Sequence, residues 1–255
     1  LEKSSHQVKV KVMDASELYD PEFRKLIKSK KQTVIIPVGS LEQHGAHLPI
    51  TTDSDIVTEI ASRLAKKCGF IVFPTISYGI SHEHNPLFNT SLHSENFGEL
   101  LQTIIIDLLT HSLTSVIILN GHHGNVPDLD AIHSIFNDPH AERDEAAYLT
   151  SRIRLQTCHY WKYMKREFDH AGFVETSIML AISDKVKMKK AKKGLIIENL
   201  SKLEQSAAKK LSTQEGGFPQ VAKNGVWGDP TSATRKDGEK FLAEIVRNLV
   251  KECQS

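Results

Sequence analysis

Cysteine is scarce in this chain: Cys68, Cys158 and Cys253 are three thiols in 255 residues, odd in number, far apart and without a CxxC pair. That excludes a disulfide framework and a thiolate zinc site, and it fits a reducing, intracellular setting. An excess of either charge is also lacking, with 32 Lys and Arg against 31 Asp and Glu. No bulk field therefore draws the chain to nucleic acid or to an acidic membrane surface. No apolar run approaches the roughly 18 residues of a membrane span, and the opening LEKSSHQVKVKVMDA has no apolar signal-peptide core. Internal repeats and low-complexity tracts are missing too. These absences leave a small-molecule partner, no nucleic acid, no membrane and a cytoplasmic location as the expectations.

What is present is a recurring apolar run bounded by turn residues: 33–40 (TVIIPVGS), 70–79 (FIVFPTISYG), 115–124 (SVIILNGHHG) and the alternating 152–160. Between these runs the spacing is helical. In DSDIVTEIASRLAKK the residues Ile56, Ile60 and Leu64 fall four apart, with Asp53 or Ser54 available as a cap and Lys66 and Lys67 at the far end. From Ser94, as a cap, the stripe of Phe97, Leu100, Leu101, Ile104 and Leu108 predicts a second helix. Further helices are expected at 126–136, 175–183, 197–211 and 237–252, a solvated basic loop at 184–195, and one long ordered loop at 212–236. Near-continuous β-branched runs alternating with helices predict buried parallel strands covered on both faces, an α/β fold of three-layer α/β/α type. The length suits one domain over 1–255.

In such a fold ligands collect beyond the carboxyl ends of the strands, and the polar clusters lie there. One run leads into Glu42 and His44, one into the turn holding His122 and His123, and one into His82, Glu83 and His84. Glu42 and His44 are two apart, so in extended chain they face the same side. Asp53 is read either as a helix cap or as a carboxylate returning to the same point, and His47 as a packing or hydrogen-bonding residue. A set of His and carboxylate donors without thiolate suits Zn²⁺, Mn²⁺ or Fe²⁺, and a carboxylate able to bridge two ions suggests a two-metal site. In FDHAGFVETS, Asp169, His170 and Glu175 stand at a helix entry, where Glu175 either offsets the helix dipole or serves as an anchored catalytic group.

The motifs GSLEQHGAHLPITTD, NGHHGN, DHAGFVETS and GVWGDPTSAT, in that order over 39–234, closely resemble those of the creatininase (creatinine amidohydrolase) family. The resemblance implies a three-layer α/β/α domain, a centre of two divalent ions, Zn²⁺ or Mn²⁺, hydrolysis of C–N amide bonds, and a homo-oligomer, often a hexamer. Carried over by motif, Glu42, His44, Asp53 and His122 look like the metal ligands, with Asp53 between the ions. Creatininase reads more like NGHYEN in the second motif, where its Glu also binds metal. This chain has Gly124 there, and Glu175 is the candidate replacement ligand. At NPLFNTSLH, Asn89 takes the place of a family Gly, which a left-handed backbone at Asn would accommodate.

The leading mechanism expected is that a water bridging or bound by the two ions attacks the amide carbonyl, and that His170, whose ordinary pKa lies near working pH, carries the proton to the leaving nitrogen. Glu175 binds metal or orients the water, and Asp169 fixes the imidazole. Candidate substrate classes are a cyclic amide, a formylamino-pyrimidine nucleotide (a deformylase) and a precursor peptide (a peptidase). Phe168, Phe173 and Trp227 are either walls of a pocket for a small cyclic substrate or residues of the core or a subunit interface. The competing reading is a non-catalytic, metal-binding oligomeric scaffold.

Overall fold

The computed structural model describes residues 13–29, 32–137, 152–167 and 169–254. Strands β1 (Met13–Asp14), β2 (Thr33–Val38), β4 (Ile71–Val72), β6 (Ser115–Asn120) and β7 (Arg154–His159) form one sheet in the order β1-β4-β2-β6-β7. Every pairing in it is parallel, with Asn120 opposite both Val38 and His159 at the carboxyl edge. β3 (Leu41–Glu42) and β5 (Asn89–Thr90) form a separate antiparallel ribbon that sets Glu42 opposite Asn89.

Alternation along the central strands explains the layers. Val34, Ile36, Val38, Val116 and Ile118 belong to one core cluster, while Ile35, Ile117 and Leu119 belong to the other. Both faces of the sheet are thus apolar and both must be covered. On one side lie α1 (Asp20–Ser29), α3 (Ser94–Thr110) and α4 (Val126–Asn137), contributing Phe23, Phe97, Leu101, Ile105, Leu129 and Ile132. On the other lie α2 (Thr52–Cys68), α5 (Phe173–Ile182) and α8 (Arg235–Gln254), contributing Ile56, Ile60, Val174, Ile178, Leu242 and Ile245. The expected three-layer α/β/α architecture with a parallel sheet is what forms.

Several boundaries differ from the expectation, each for a local reason. The run at 70–79 pairs as a strand only at Ile71–Val72, because Pro74 follows and cannot donate to a ladder. The helix expected at 197–211 begins at Lys202 as α6 (Lys202–Ser212), where Ser201 and Glu204 form a reciprocal capping box. The segment 212–236 is not all loop: it holds the short helix α7 (Phe218–Val221) and a turn at Pro230–Ser232. Ser94 lies inside α3, with His93 at the cap position. Asn89 is extended in β5 and its side chain donates to Asn85 Oδ1 and to the Leu87 carbonyl, so the left-handed backbone expected of it is absent. Among the described residues no helix is long and apolar enough to cross a membrane.

Candidate metal centre

Asp53 is not the cap of α2. Thr51 stands at the cap position, and Asp53 sits in the first turn with its carboxylate 2 % exposed and turned inward. Oδ1 lies 3.0 Å from His44 Nε2, and Oδ2 lies 2.9 Å from His122 Nδ1. Glu42 approaches the second of these groups, with Oε2 at 3.3 Å from His122 Nδ1, and Glu175 the first, with Oε2 at 3.7 Å from His44 Nε2. The five side chains expected as ligands therefore converge as two groups sharing Asp53: Glu42 and His122 on one oxygen, His44 and Glu175 on the other. All five are buried.

Secondary structure explains the convergence. β2 and β6 end side by side, and Asn125 ties their exits together, accepting from Ile80 N at 2.8 Å and donating to the Gly39 carbonyl at 3.0 Å. Gly45, at φ 62°, turns the chain after His44 as only glycine does readily. His47 is not in the cluster: its Nε2 bonds Thr176 Oγ1 at 2.9 Å, the hydrogen-bonding role expected. Ala171, at φ 51°, is a buried non-glycine residue in the left-handed region, strained by about 1–2 kcal/mol. That turn aims the Ala171 N–H at Glu175 Oε2, 2.6 Å away.

The imidazoles are poised as ligands. His122 Nε2 donates to the Ile80 carbonyl at 2.8 Å and His44 Nδ1 donates to the Glu42 carbonyl at 3.1 Å. A carbonyl accepts only, so each ring keeps its proton on the outer nitrogen and turns a lone pair toward carboxylate oxygens. Lone pairs facing oxygens repel unless a cation stands between them. Positive charge is drawn to each of these gaps, as a second proton on the ring when no ion is bound. Burial pushes His44 down, but Asp53, then Glu175 and Glu42, outweigh it and raise the imidazole to about 10. His122 is likewise raised well above its ordinary value, against burial, chiefly by Glu42 and Asp53. Burial pushes the Glu175 carboxyl up to about 8, with Asp53 and Asp169 acting in the same direction and His44 against it. Glu42 Oε1, Asp53 Oδ2 and Glu175 Oε1 are buried without a hydrogen bond. A buried carboxylate oxygen without a donor is costly, and a divalent ion beside Asp53 Oδ2 and His122 Nδ1 would satisfy it. The residues fit a metal centre.

Gly124 has no space for a side chain. A Cβ there would fall on the Ile80 carbonyl oxygen and crowd His122 Nε2 and Glu83 Oε1. Asp169 does not fix His170, contrary to expectation. Its oxygens accept from Val174 N at 2.9 Å and Glu175 N at 3.3 Å, so it serves the start of α5. His170 Nε2 instead lies 3.1 Å from the Gln43 carbonyl, and its Nδ1 faces Glu42 Oε1 at 3.8 Å. Gln43 and the contact between His84 and Glu42 are what sequence reasoning missed, although Gln43 sits inside the EQH motif.

A cavity of about 750 Å³ opens over the centre, reaching Asp53, His122 and His170 and walled by Trp161, Phe218 and Trp227. Phe173 packs edge-on against Phe241 as core, and Phe168 lies outside the described residues. In the basic segment, Lys185 and Lys193 pair with Asp55 and Asp229, and none of its residues lines this cavity.

The sequence matches the family model described as creatinine amidohydrolase (creatininase) over residues 16–253. The chain belongs to the creatininase family. It is 31 % identical over 220 residues to the mycofactocin precursor peptide peptidase of Mycolicibacterium smegmatis, covering 84 % of this chain and 81 % of that protein. It is 26 % identical over 188 residues to the creatinine amidohydrolase of Pseudomonas putida, covering 65 % and 70 % of the two chains. Among solved structures, a Zn–Zn form of a creatininase mutant superposes with a TM-score of 0.75 at 22 % identity, over 95 % of this chain and 97 % of that one. This creatininase-family chain is an amidohydrolase, from a family of metal-dependent hydrolases that act on C–N amide bonds.

Proposed function

We propose that the chain acts as one dinuclear amidohydrolase unit in which Glu42, His122 and Asp53 would hold one divalent ion and His44, Glu175 and Asp53 the other. The observation that carries this reading is the pair of ring nitrogens, His44 Nε2 and His122 Nδ1, each turned to buried carboxylate oxygens and away from the carbonyl that holds the other nitrogen. Zn²⁺ or Mn²⁺ suits such a donor set, and the Zn–Zn form of a creatininase supports the count of two. Bound ions of this kind polarise an amide carbonyl and make water acidic enough to attack near neutral pH.

The chain's own residues do the remaining work. His170 lines the cavity, and burial, with His44 and His84 beside it, holds its imidazole well below the ordinary value. It is thus neutral at working pH, ready to take the proton released as water adds to the carbonyl carbon and to pass it to the nitrogen as the C–N bond breaks. Glu175 is held by the Ala171 N–H at Oε2, the oxygen that faces His44. Because the cavity reaches Asp53 and His122, the centre is accessible, which favours an enzyme over a closed structural scaffold.

Substrates of small-molecule size fit about 750 Å³, and the peptidase relative adds the end of a peptide chain to the candidates. A panel of cyclic amides, formamides and C-terminal dipeptides, run on protein with its metal content measured, tests the proposal. Turnover of one class that disappears with chelator and returns with Zn²⁺ or Mn²⁺ supports it. Two bound ions with no turnover of any class would favour the scaffold.

A further inference from the structure

Gln43 lies between two expected ligands but is itself none. Its side-chain Oε1 accepts from Gly45 N–H at 3.0 Å, which fixes the amide orientation: turned over, the NH₂ group would face another donor. With Oε1 so placed, Nε2 lies 3.0 Å from His84 Nδ1 and 3.1 Å from His170 Nε2. An amide nitrogen only donates, so His84 Nδ1 is an acceptor and the neutral ring carries its proton on Nε2. That nitrogen stands 3.0 Å from Glu42 Oε1, a buried oxygen whose contact with the ring is an ion-pair approach rather than an aligned hydrogen bond.

This decides between two roles for His84. Glu42, His84 and His170 bring donor atoms close enough together to hold an ion. A ring that accepts at Nδ1 and is protonated at Nε2, however, has no lone pair left for a metal. We propose that Gln43 is a positioning residue that places the His84 proton on Nε2, so that His84 holds Glu42 Oε1 and leaves Glu42 Oε2 for the centre beside His122. The proposal rests on the metal reading above. Gln43 also offers His170 Nε2 both an amide N–H and, at the same 3.1 Å, its own main-chain carbonyl. The imidazole can therefore carry or lack a proton at Nε2 without being left unpaired. Phe218 packs against both rings, 4.5 Å from His84 and 4.8 Å from His170 between centroids, and keeps them in register with Gln43.

Gln43→Glu tests this, because a carboxylate at the same place still accepts from Gly45 N–H but can no longer donate. Long-range ¹H–¹⁵N correlation on the full-length histidine-labelled chain, metal-free and zinc-loaded, reads each ring's tautomer directly, and chelator competition reads zinc affinity. In the unsubstituted protein His84 is expected protonated at Nε2 alone. In Gln43→Glu its Nδ1 becomes protonated, with zinc affinity falling about 10–100-fold as for other lost outer-sphere partners. An Nδ1-protonated His84 in the unsubstituted chain, or the same tautomer in both proteins, overturns the proposal. Failure of the unsubstituted chain to take up zinc would instead overturn the metal reading, and the tautomer in the metal-free chain would still decide the role of Gln43.

Discussion

His122 Nδ1 stands 2.9 Å from Asp53 Oδ2, an oxygen that accepts no hydrogen bond although it is buried. The outer nitrogen of the same ring is committed to the Ile80 carbonyl, so this approach is favourable only with a positive charge at Nδ1, a second proton or a metal ion.

Asp53→Ala removes the carboxylate shared by the two half-sites. Elemental analysis of protein purified without chelator is expected to give about two divalent ions per unsubstituted chain, far fewer in the variant, and no turnover. Near-stoichiometric metal in the variant would show that the ions bind elsewhere.

Gly124→Glu restores the carboxylate that creatininase carries in this turn, yet it is expected to fail. The obstacle is backbone, the Ile80 carbonyl oxygen, which cannot rotate aside as a side chain would. Denaturant unfolding should show a loss of at least about 1–3 kcal/mol, the usual cost of overpacking. Unchanged stability with a gain in metal affinity would mean the turn yields more readily than its contacts indicate.

His159 accepts at Nδ1 from Asn120 at 3.0 Å and lies 3.1 Å from Asp130 through Nε2. Burial, outweighing Asp130, holds its imidazole below the ordinary value. The unfolded chain therefore binds a proton near pH 6.5 that the folded chain refuses. Stability is fully present above that pH and is lost as pH falls through it toward the folded value. His159→Gln is expected to flatten this acid limb. Unfolding free energies at about pH 8 and about pH 5 for both proteins check it, and equal slopes would contradict it.

Asp169→Ala deprives Val174 and Glu175 of their acceptor at the start of α5. A loss of about 0.5–2 kcal/mol is expected, as for other lost helix-start acceptors. The His170 ring, held by Gln43, should keep its orientation. A changed His170 tautomer in the variant would restore the role first expected of Asp169.

By itself the sequence determined the layers and the inventory of donors. Alternating apolar residues in β2 and β6 require cover on both faces, and period 3.6 between them requires helices. These are short-range facts, legible within a window of a few residues. Glu42, His44, Asp53, His122 and Glu175 were legible because their motifs are local and distinctive. Only the tertiary structure decided how those donors are used, since hydrogen bonds between residues far apart in the chain carry no local signal. It set Asp53 in the first turn of α2 with one oxygen toward His44 and the other toward His122, gave Asp169 to α5, and closed the Gly124 position with the carbonyl of Ile80. It also brought Gln43 against two histidines, 41 and 127 positions away. The direction of a proton depends on which acceptor folding sets opposite it.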